Sequence, residues 1–473
     1  MRILLLLALL LPLKAAQKPN ILFIFADDMT YEAIGALGNS EIKTPHLDTL
    51  FNSGTTFTHA YNPGGWNGAI CIASRTMLMS GRQLWYAHKE EPTMQKALVT
   101  QKGTWPQMLS TAGYETYMTG KWHVKIKPDT IFDHVGDVRA GMPQDRVNAY
   151  NRPLSGGKPK WDPTDRNEGG FWKGGKHWSE VEADTAIGYL DHAKGHDKPF
   201  FVYLAFNAPH DPRQAPQEYL EMYAVDQMKV PEDFLPLYPH RNAMQAGRDL
   251  RDEALAPFPR TYEAVKKHRQ EYYAIVSHLD AQIGRVLKKL DDNGQRENTY
   301  IVFTADHGLS VGHHGLLGKQ NMYDHSIRVP FVISGPKIEA GKKIETPIYL
   351  QDVVPTSLEA AGRDIPEHVQ FQSLIPIIKG ESEGRDGIYV GYRLSQRQIT
   401  DDGFKLIVYP RGQIARLFNL KDDPFEKNDL VEQGENLEKA RELLKKLKKM
   451  QKDLGDDLDL GSYPDIADLK KFR

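Results

Sequence analysis

Three strand-length apolar runs, 20–26 (NILFIFA), 200–206 (FFVYLAF) and 299–305 (TYIVFTA), constrain this chain more than any other feature. A near-continuous apolar run suits a strand buried on both faces, as in a parallel sheet. Each run leads into titratable residues: Asp27–Asp28 after the first, His210 shortly after the second, Asp306–His307 after the third. Open α/β sheets place their ligands at such strand ends. Helical patterns alternate with the runs, over 104–112, 180–192 and 268–290. In the last of these, Tyr272, Ile275, Leu279, Ile283, Val286 and Leu290 keep helical spacing until Asn293–Gly294 stops them. The expected fold is α/β, a large mixed, mostly parallel sheet sandwiched by helices. Further strands are expected over 57–61, 114–119 and 328–333.

The pattern changes after Gly380. Four short strands over 388–392, 397–400, 404–409 and 415–419 read as a small antiparallel sheet. A charged amphipathic helix over 436–452 follows, with Leu437, Leu443, Leu444, Leu447 and Met450 inward. At the other end, Arg2 precedes an apolar stretch over 3–13, with Ala15–Ala16 beyond it. That is the pattern of a secretory signal, and it is too short to cross a membrane. The expected organisation is a signal peptide over 1–16, a catalytic domain over 17–380 and a C-terminal subdomain over 381–473. The mature protein is expected to be periplasmic or secreted, without a stable membrane anchor. A net charge of −2 on 473 residues provides no basic field for nucleic acid.

The chain has one cysteine, Cys71, so no internal disulfide can form. It stands in Cys71–Ile72–Ala73–Ser74–Arg75, followed by Met77–Leu78–Met79 and Gly81–Arg82. A helix over 75–81 would put Cys71 at its N-terminal end, where free N–H groups favour an anion. Gly120–Lys121–Trp122–His123 closes the 114–119 strand, and an extended backbone there would point Lys121 and His123 to the same side. Residues 151–178 are rich in Gly, Pro, Lys and Asp and carry Trp161, Trp172 and Trp178. Those rings suit either stacking on sugar faces or pinning a long loop to the body.

The Cys-x-Ala-Ser-Arg stretch with Gly-Arg beyond it resembles the signature of the type I sulfatases of the alkaline phosphatase-like superfamily. The order of Asp27–Asp28, Cys71, Arg75, Lys121, His123, His210, Asp306–His307 and Lys319 is similar to theirs across almost the whole mature chain, and the segments resemble bacterial carbohydrate sulfatases. The resemblance implies that a maturation enzyme oxidises Cys71 to Cα-formylglycine (3-oxoalanine), whose hydrate is the nucleophile. It implies a divalent cation, most simply Ca²⁺, held by Asp27, Asp28, Asp306, His307 and the matured Cys71. Arg75, Lys121 and Lys319 would neutralise the sulfate. One hydroxyl of the hydrate would attack sulfur while His210, with Lys319, protonates the departing alcohol. His123 would then take the proton of the second hydroxyl, so that sulfate leaves and the aldehyde returns.

Three positions depart from the common pattern. Ala73 stands where many members have proline, His307 where many have asparagine, and Asp324 where glutamate is frequent; only a local adjustment is expected at Asp324. The implied activity is hydrolysis of sulfate monoesters on a carbohydrate. The competing readings are a phosphomonoester or phosphonate monoester hydrolase of the same superfamily, and a non-catalytic exported carbohydrate-binding protein that keeps its thiol.

Overall fold

The computed structural model describes residues 18–139, 149–152, 161–167, 172–247, 249–431, 436–467 and 469; the expected signal peptide lies outside them. Its central sheet is built from β1 (Asn20–Ala26), β2 (Thr55–Phe57), β3 (Glu115–Lys121), β4 (His134–Arg139), β5 (Phe200–Ala205), β6 (Thr299–Ala305), β7 (Phe331–Ser334) and β8 (Lys343–Ile344). The spatial order is β8-β2-β7-β6-β1-β5-β3-β4. The five strands from β6 to β4 are parallel, and β7 runs antiparallel to both β6 and β2. The three apolar runs are therefore its middle. β1 lies between β6 and β5, in register from Asn20↔Thr299 to Ala26↔Ala305.

Alternate residues of these strands feed two separate layers. On one face Phe23, Phe201 and Tyr203 meet Trp105, with its ring 5.1 Å from Phe23 and 4.8 Å from Phe201. On the other face Phe303 meets Phe51 of α1 (Pro45–Ser53) at 6.2 Å. Burial on both sides explains why these runs carry no polar alternation.

Two expected strands are each split between sheets. In 57–61, Phe57 ends β2, while Ala60–Tyr61 belongs to a three-stranded sheet with Arg328–Val329 and Ile348–Tyr349. In 328–333, Pro330 has no N–H for a ladder, so the strand breaks there and resumes as β7. The two breaks face each other, because Arg328–Val329 pairs with Tyr61–Ala60 and Val332–Ile333 pairs with Thr56–Thr55.

The C-terminal strands β9 (Ile388–Tyr392), β10 (Gln396–Asp401), β11 (Phe404–Tyr409) and β12 (Ile414–Asn419) form the expected antiparallel meander, packed under the helix Leu437–Asp453. Its edge holds a surprise: Gly64–Gly65 adds as a fifth, parallel strand. Gly64 has φ +107°, and a Cβ there would collide with the Gly391 carbonyl oxygen, so only glycine permits this approach. The loop that delivers Cys71 is thus anchored on the C-terminal sheet. Asp324 makes a separate contact with the C-terminal segment: its Oδ1 accepts from Lys405 Nζ at 2.6 Å, and its N–H donates to Glu426 at 2.7 Å.

Trp161 and Trp178 are buried, at 3% and 8% exposure, with Arg152 over the first ring and Arg139 over the second. For these two rings the pinning role holds rather than sugar stacking. The side chain of Trp172 lies outside the described residues.

Candidate active site

The site sits at the C-terminal ends of the parallel strands. β1 ends into Asp27 and Asp28, β3 ends on Lys121, β5 leads to His210, and β6 ends into Asp306 and His307. Backbone bonds fuse these ends: Asp27 N–H donates to Ala208 at 3.1 Å, and Asp306 N–H donates to Ala26 at 3.1 Å.

The helix α2 starts earlier than the sequence suggests. It spans Ile70–Ser80, so Cys71 lies inside the first turn instead of ahead of the helix, and Gly81 closes it at φ +68°. Cys71 is 2% exposed. Its Sγ, which marks where a matured side chain would sit, lies 3.2 Å from His123 Nδ1. Burial alone would push this thiol up, but Lys121, His123, His307 and Lys319 together hold it well below the ordinary range.

Lys121 and His123 converge on the site, but not from one extended strand. Lys121 is the last residue of β3, whereas His123 has φ +57°, a left-handed turn. Lys121 Nζ pairs with Asp27 Oδ2. Lys319 Nζ donates to both oxygens of Asp28 at 2.8 Å and lies 3.3 Å from His210 Nε2. Asp28 is held well below the usual carboxylate range: burial raises it, but His210, Lys319 and His307 outweigh that.

Arg75 donates two hydrogen bonds to protein, while its second terminal nitrogen, Nη2, is buried without one. Nε reaches Asp306 Oδ2 at 3.1 Å, one terminal nitrogen reaches the Lys121 carbonyl at 2.9 Å, and the other lies 3.1 Å from Asp306 Oδ2. Its guanidinium lies over the Phe25 ring at 4.8 Å.

Donor atoms of Asp27, Cys71, Asp306 and His307 all lie within 4.8 Å of one another. Asp27 Oδ1 and His307 Nε2 are buried without a hydrogen-bond partner. Burial and the neighbouring Asp306 push the Asp27 carboxyl up. His307 is pulled to about 10, against its burial, by Asp306 and Asp28. A pocket with orphaned acceptors and excess carboxylate fits a cation. Asp28 Oδ1 lies 3.0 Å from His307 Nε2, so the fifth expected ligand borders the same cluster.

Three buried acids near the site went unassigned in the sequence. Asp211 Oδ1 lies 3.1 Å from His210 Nδ1. Asp252 Oδ2 lies 3.8 Å from Lys319 Nζ. Glu182 is fully buried, and burial pushes it well above its ordinary value. Asp211 adjoins an assigned residue. Asp252 and Glu182 carry no local signal, since one lies in the irregular 213–260 region and the other within a regular helix.

Comparison with known proteins agrees with this geometry. The sulfatase family model matches residues 19–363, and a model described as N-sulphoglucosamine sulphohydrolase, C-terminal, matches residues 312–453. An N-acetylglucosamine-6-O-sulfatase of Bacteroides thetaiotaomicron is 26% identical, covering 93% of this chain and 88% of its own. A protein solved with its substrate D-glucosamine-2-N,6-O-disulfate superposes with a TM-score of 0.73 at 26% identity, covering 93% of this chain and 99% of that one. A phosphonate monoester hydrolase from Silicibacter pomeroyi shares the fold, with a TM-score of 0.72 at 20% identity over 93% of this chain and 96% of that one.

Proposed function

Because the chain belongs to the sulfatase family and hydrolyses sulfate esters through a formylglycine-type nucleophile beside a metal-binding cluster, we propose that it is an exported enzyme that removes sulfate from a sulfated carbohydrate, with Cys71 matured to 3-oxoalanine by a separate enzyme. The observation that carries this reading is the convergence of Cys71 Sγ, His123 Nδ1 at 3.2 Å and a buried acid cluster.

We assign Asp27, Asp28, Asp306 and His307 as ligands of one Ca²⁺. Such an ion would polarise a sulfate oxygen and acidify the attacking hydroxyl. Three carboxylates favour a hard cation. We assign His123 to hold the proton of the nucleophile. We assign His210, beside Lys319 at 3.3 Å, to deliver a proton to the leaving alcohol. Lys121 and Lys319 bring positive charge to the face that a sulfate would meet. Arg75 acts through Asp306 and is a positioning residue. We assign substrate choice to the 381–473 subdomain and the 151–178 loop. Relatives acting on sulfated amino sugars support a carbohydrate substrate.

The test is inorganic sulfate release from defined sulfated mono- and oligosaccharides, amino-sugar sulfates among them. Matched phosphate and phosphonate monoesters and Cys71→Ala serve as controls. Release from one saccharide class that disappears in Cys71→Ala is the expected result. Preference for the phosphorus esters would move the chain to the other branch of the fold. An intact thiol in the Cys71 peptide from the natural host would remove the nucleophile assignment.

A further inference from the structure

The loop between the catalytic centre and Lys319 carries a second cluster of metal-ligating groups. His313 and His314 lie on this loop, His325 lies just beyond Lys319, and Asp233 reaches in from the irregular 213–260 region. Donor atoms of Asp233, His314 and His325 lie within 4.8 Å of one another. All three residues are buried, at 5%, 3% and 5% exposure.

The hydrogen bonding around them is one-sided. Asp233 takes both neighbouring rings: His313 Nδ1 lies 2.9 Å from Oδ1 and 3.1 Å from Oδ2, and Oδ2 also faces His314 Nε2 at 3.2 Å. His325 Nδ1 is paired with Ser326 Oγ at 2.8 Å, so Nε2 is its remaining nitrogen. The Nε2 atoms of His314 and His325 are both buried without a hydrogen-bond partner. Buried polar atoms are satisfied by hydrogen bonds or by coordination, and an unpaired one costs about 1–3 kcal/mol. At the catalytic centre the same signature, on Asp27 Oδ1 and His307 Nε2, marks atoms that face a cation site.

We propose that Asp233, His314 and His325 form a second metal site, structural in role, for Zn²⁺ or a similar first-row transition ion. Two imidazoles and one carboxylate suit such an ion better than Ca²⁺. Zinc–nitrogen bonds of about 2.0–2.1 Å put tetrahedral donors about 3.3 Å apart, a contraction that side-chain rotation supplies. A water molecule would complete the shell. His313 acts from outside it: Nδ1 fixes the Asp233 carboxylate, and Nε2 lies 2.9 Å from Glu32 Oε2, which offsets the imidazole's charge. The ion would tie the loop carrying Lys319 to the 213–260 region. It would thereby help hold Lys319 against Asp28 without touching substrate.

The test uses the full-length protein in Ca²⁺ buffer. His192→Ala is built into every sample, because half-buried Glu115 and exposed His192 and His196 form a trio that could also take Zn²⁺. After loading with Zn²⁺ and dialysis, mass spectrometry of the metals should give one zinc per chain. Asp233→Asn and His325→Asn should each lose it while retaining calcium. Loading with Co²⁺ supplies a readout that needs no variant in the cluster: a tetrahedral visible band should appear and persist in Asp306→Ala. No stoichiometric zinc, zinc retained in His325→Asn, or a Co²⁺ band lost in Asp306→Ala would each overturn the proposal.

Discussion

His123 Nδ1 reaches within 3.2 Å of Cys71 Sγ from a left-handed backbone conformation, φ +57°, directly after the strand that ends on Lys121. The turn aims the ring across the sheet end at the first turn of α2. Removing the ring should remove a proton acceptor at the nucleophile without opening the core, since His123 is only half-buried. His123→Ala is expected to lower kcat by about 10²–10⁴-fold, the range of a lost general base. KM and the thermal midpoint should change little, and steady-state kinetics with a sulfate ester checks this.

Arg75 makes a different prediction, because its fork grips Asp306 and the Lys121 carbonyl. Arg75→Lys keeps one charge but cannot reproduce that planar geometry. Metal affinity should fall by about 10–100-fold, as when partners of ligating groups are removed. Calorimetric Ca²⁺ titration measures this, with Asp306→Ala expected to abolish binding. Equal affinity in Arg75→Lys and the parent would show that Arg75 does not position the acids.

The strand ends were legible because chemistry and periodicity coincide there: an apolar run says where a buried strand stops, and Asp27–Asp28 and Asp306–His307 mark the stop. The partners of Arg75 were not legible. A guanidinium next to an anion-binding motif reads as a substrate contact, and only the folded chain shows that its Nε also donates to Asp306. Asp252 was equally hidden, since its neighbour Lys319 is far away in sequence and 3.8 Å away in space. The strand exchange at Pro330 was present as a proline, but its mirror at residues 58–59 has no such marker, and the partner strand sets the break. Trp161 and Trp178 could not be placed, because an aromatic ring serves a core and a sugar equally well.

Gly120 is predicted to be irreplaceable for steric reasons. It has φ +97°, and a Cβ there would run into the Ala205 carbonyl oxygen of the neighbouring β5. The register of β3 against β4 also shifts between Met118 and Gly120. Gly120→Ala must therefore push β3 off β5 at the residue before Lys121. The left-handed strain alone is of order 1–3 kcal/mol. Thermal denaturation should show a clear drop in midpoint, and activity should fall with it as Lys121 leaves Asp27.

The Arg152–Glu271 pair should set part of the acid stability. Its two nitrogens donate to the two carboxylate oxygens at 2.8 Å each, and both residues are buried. Burial raises the Glu271 carboxyl, but Arg152 overcomes it and holds the group at about 2 against 4.5 for a free side chain. A depressed carboxyl contributes stability that is fully present above about pH 4.5 and is lost as pH falls toward 2, about 3 kcal/mol in all. Arg152→Met leaves Glu271 buried with the neighbouring His268 and the more distant, half-buried Lys267 at 3.8 Å. Breaking such a pair costs about 3–5 kcal/mol near neutrality. In that variant burial governs the carboxyl, so the slope should reverse, with the deficit shrinking as pH falls and Glu271 takes a proton. Denaturant unfolding of parent and variant across pH 3–7 reads both slopes. Parallel curves would show that the pair carries no pH-linked stability, and Arg152→Met/Glu271→Gln should recover much of the loss at neutral pH by removing the unpaired charge.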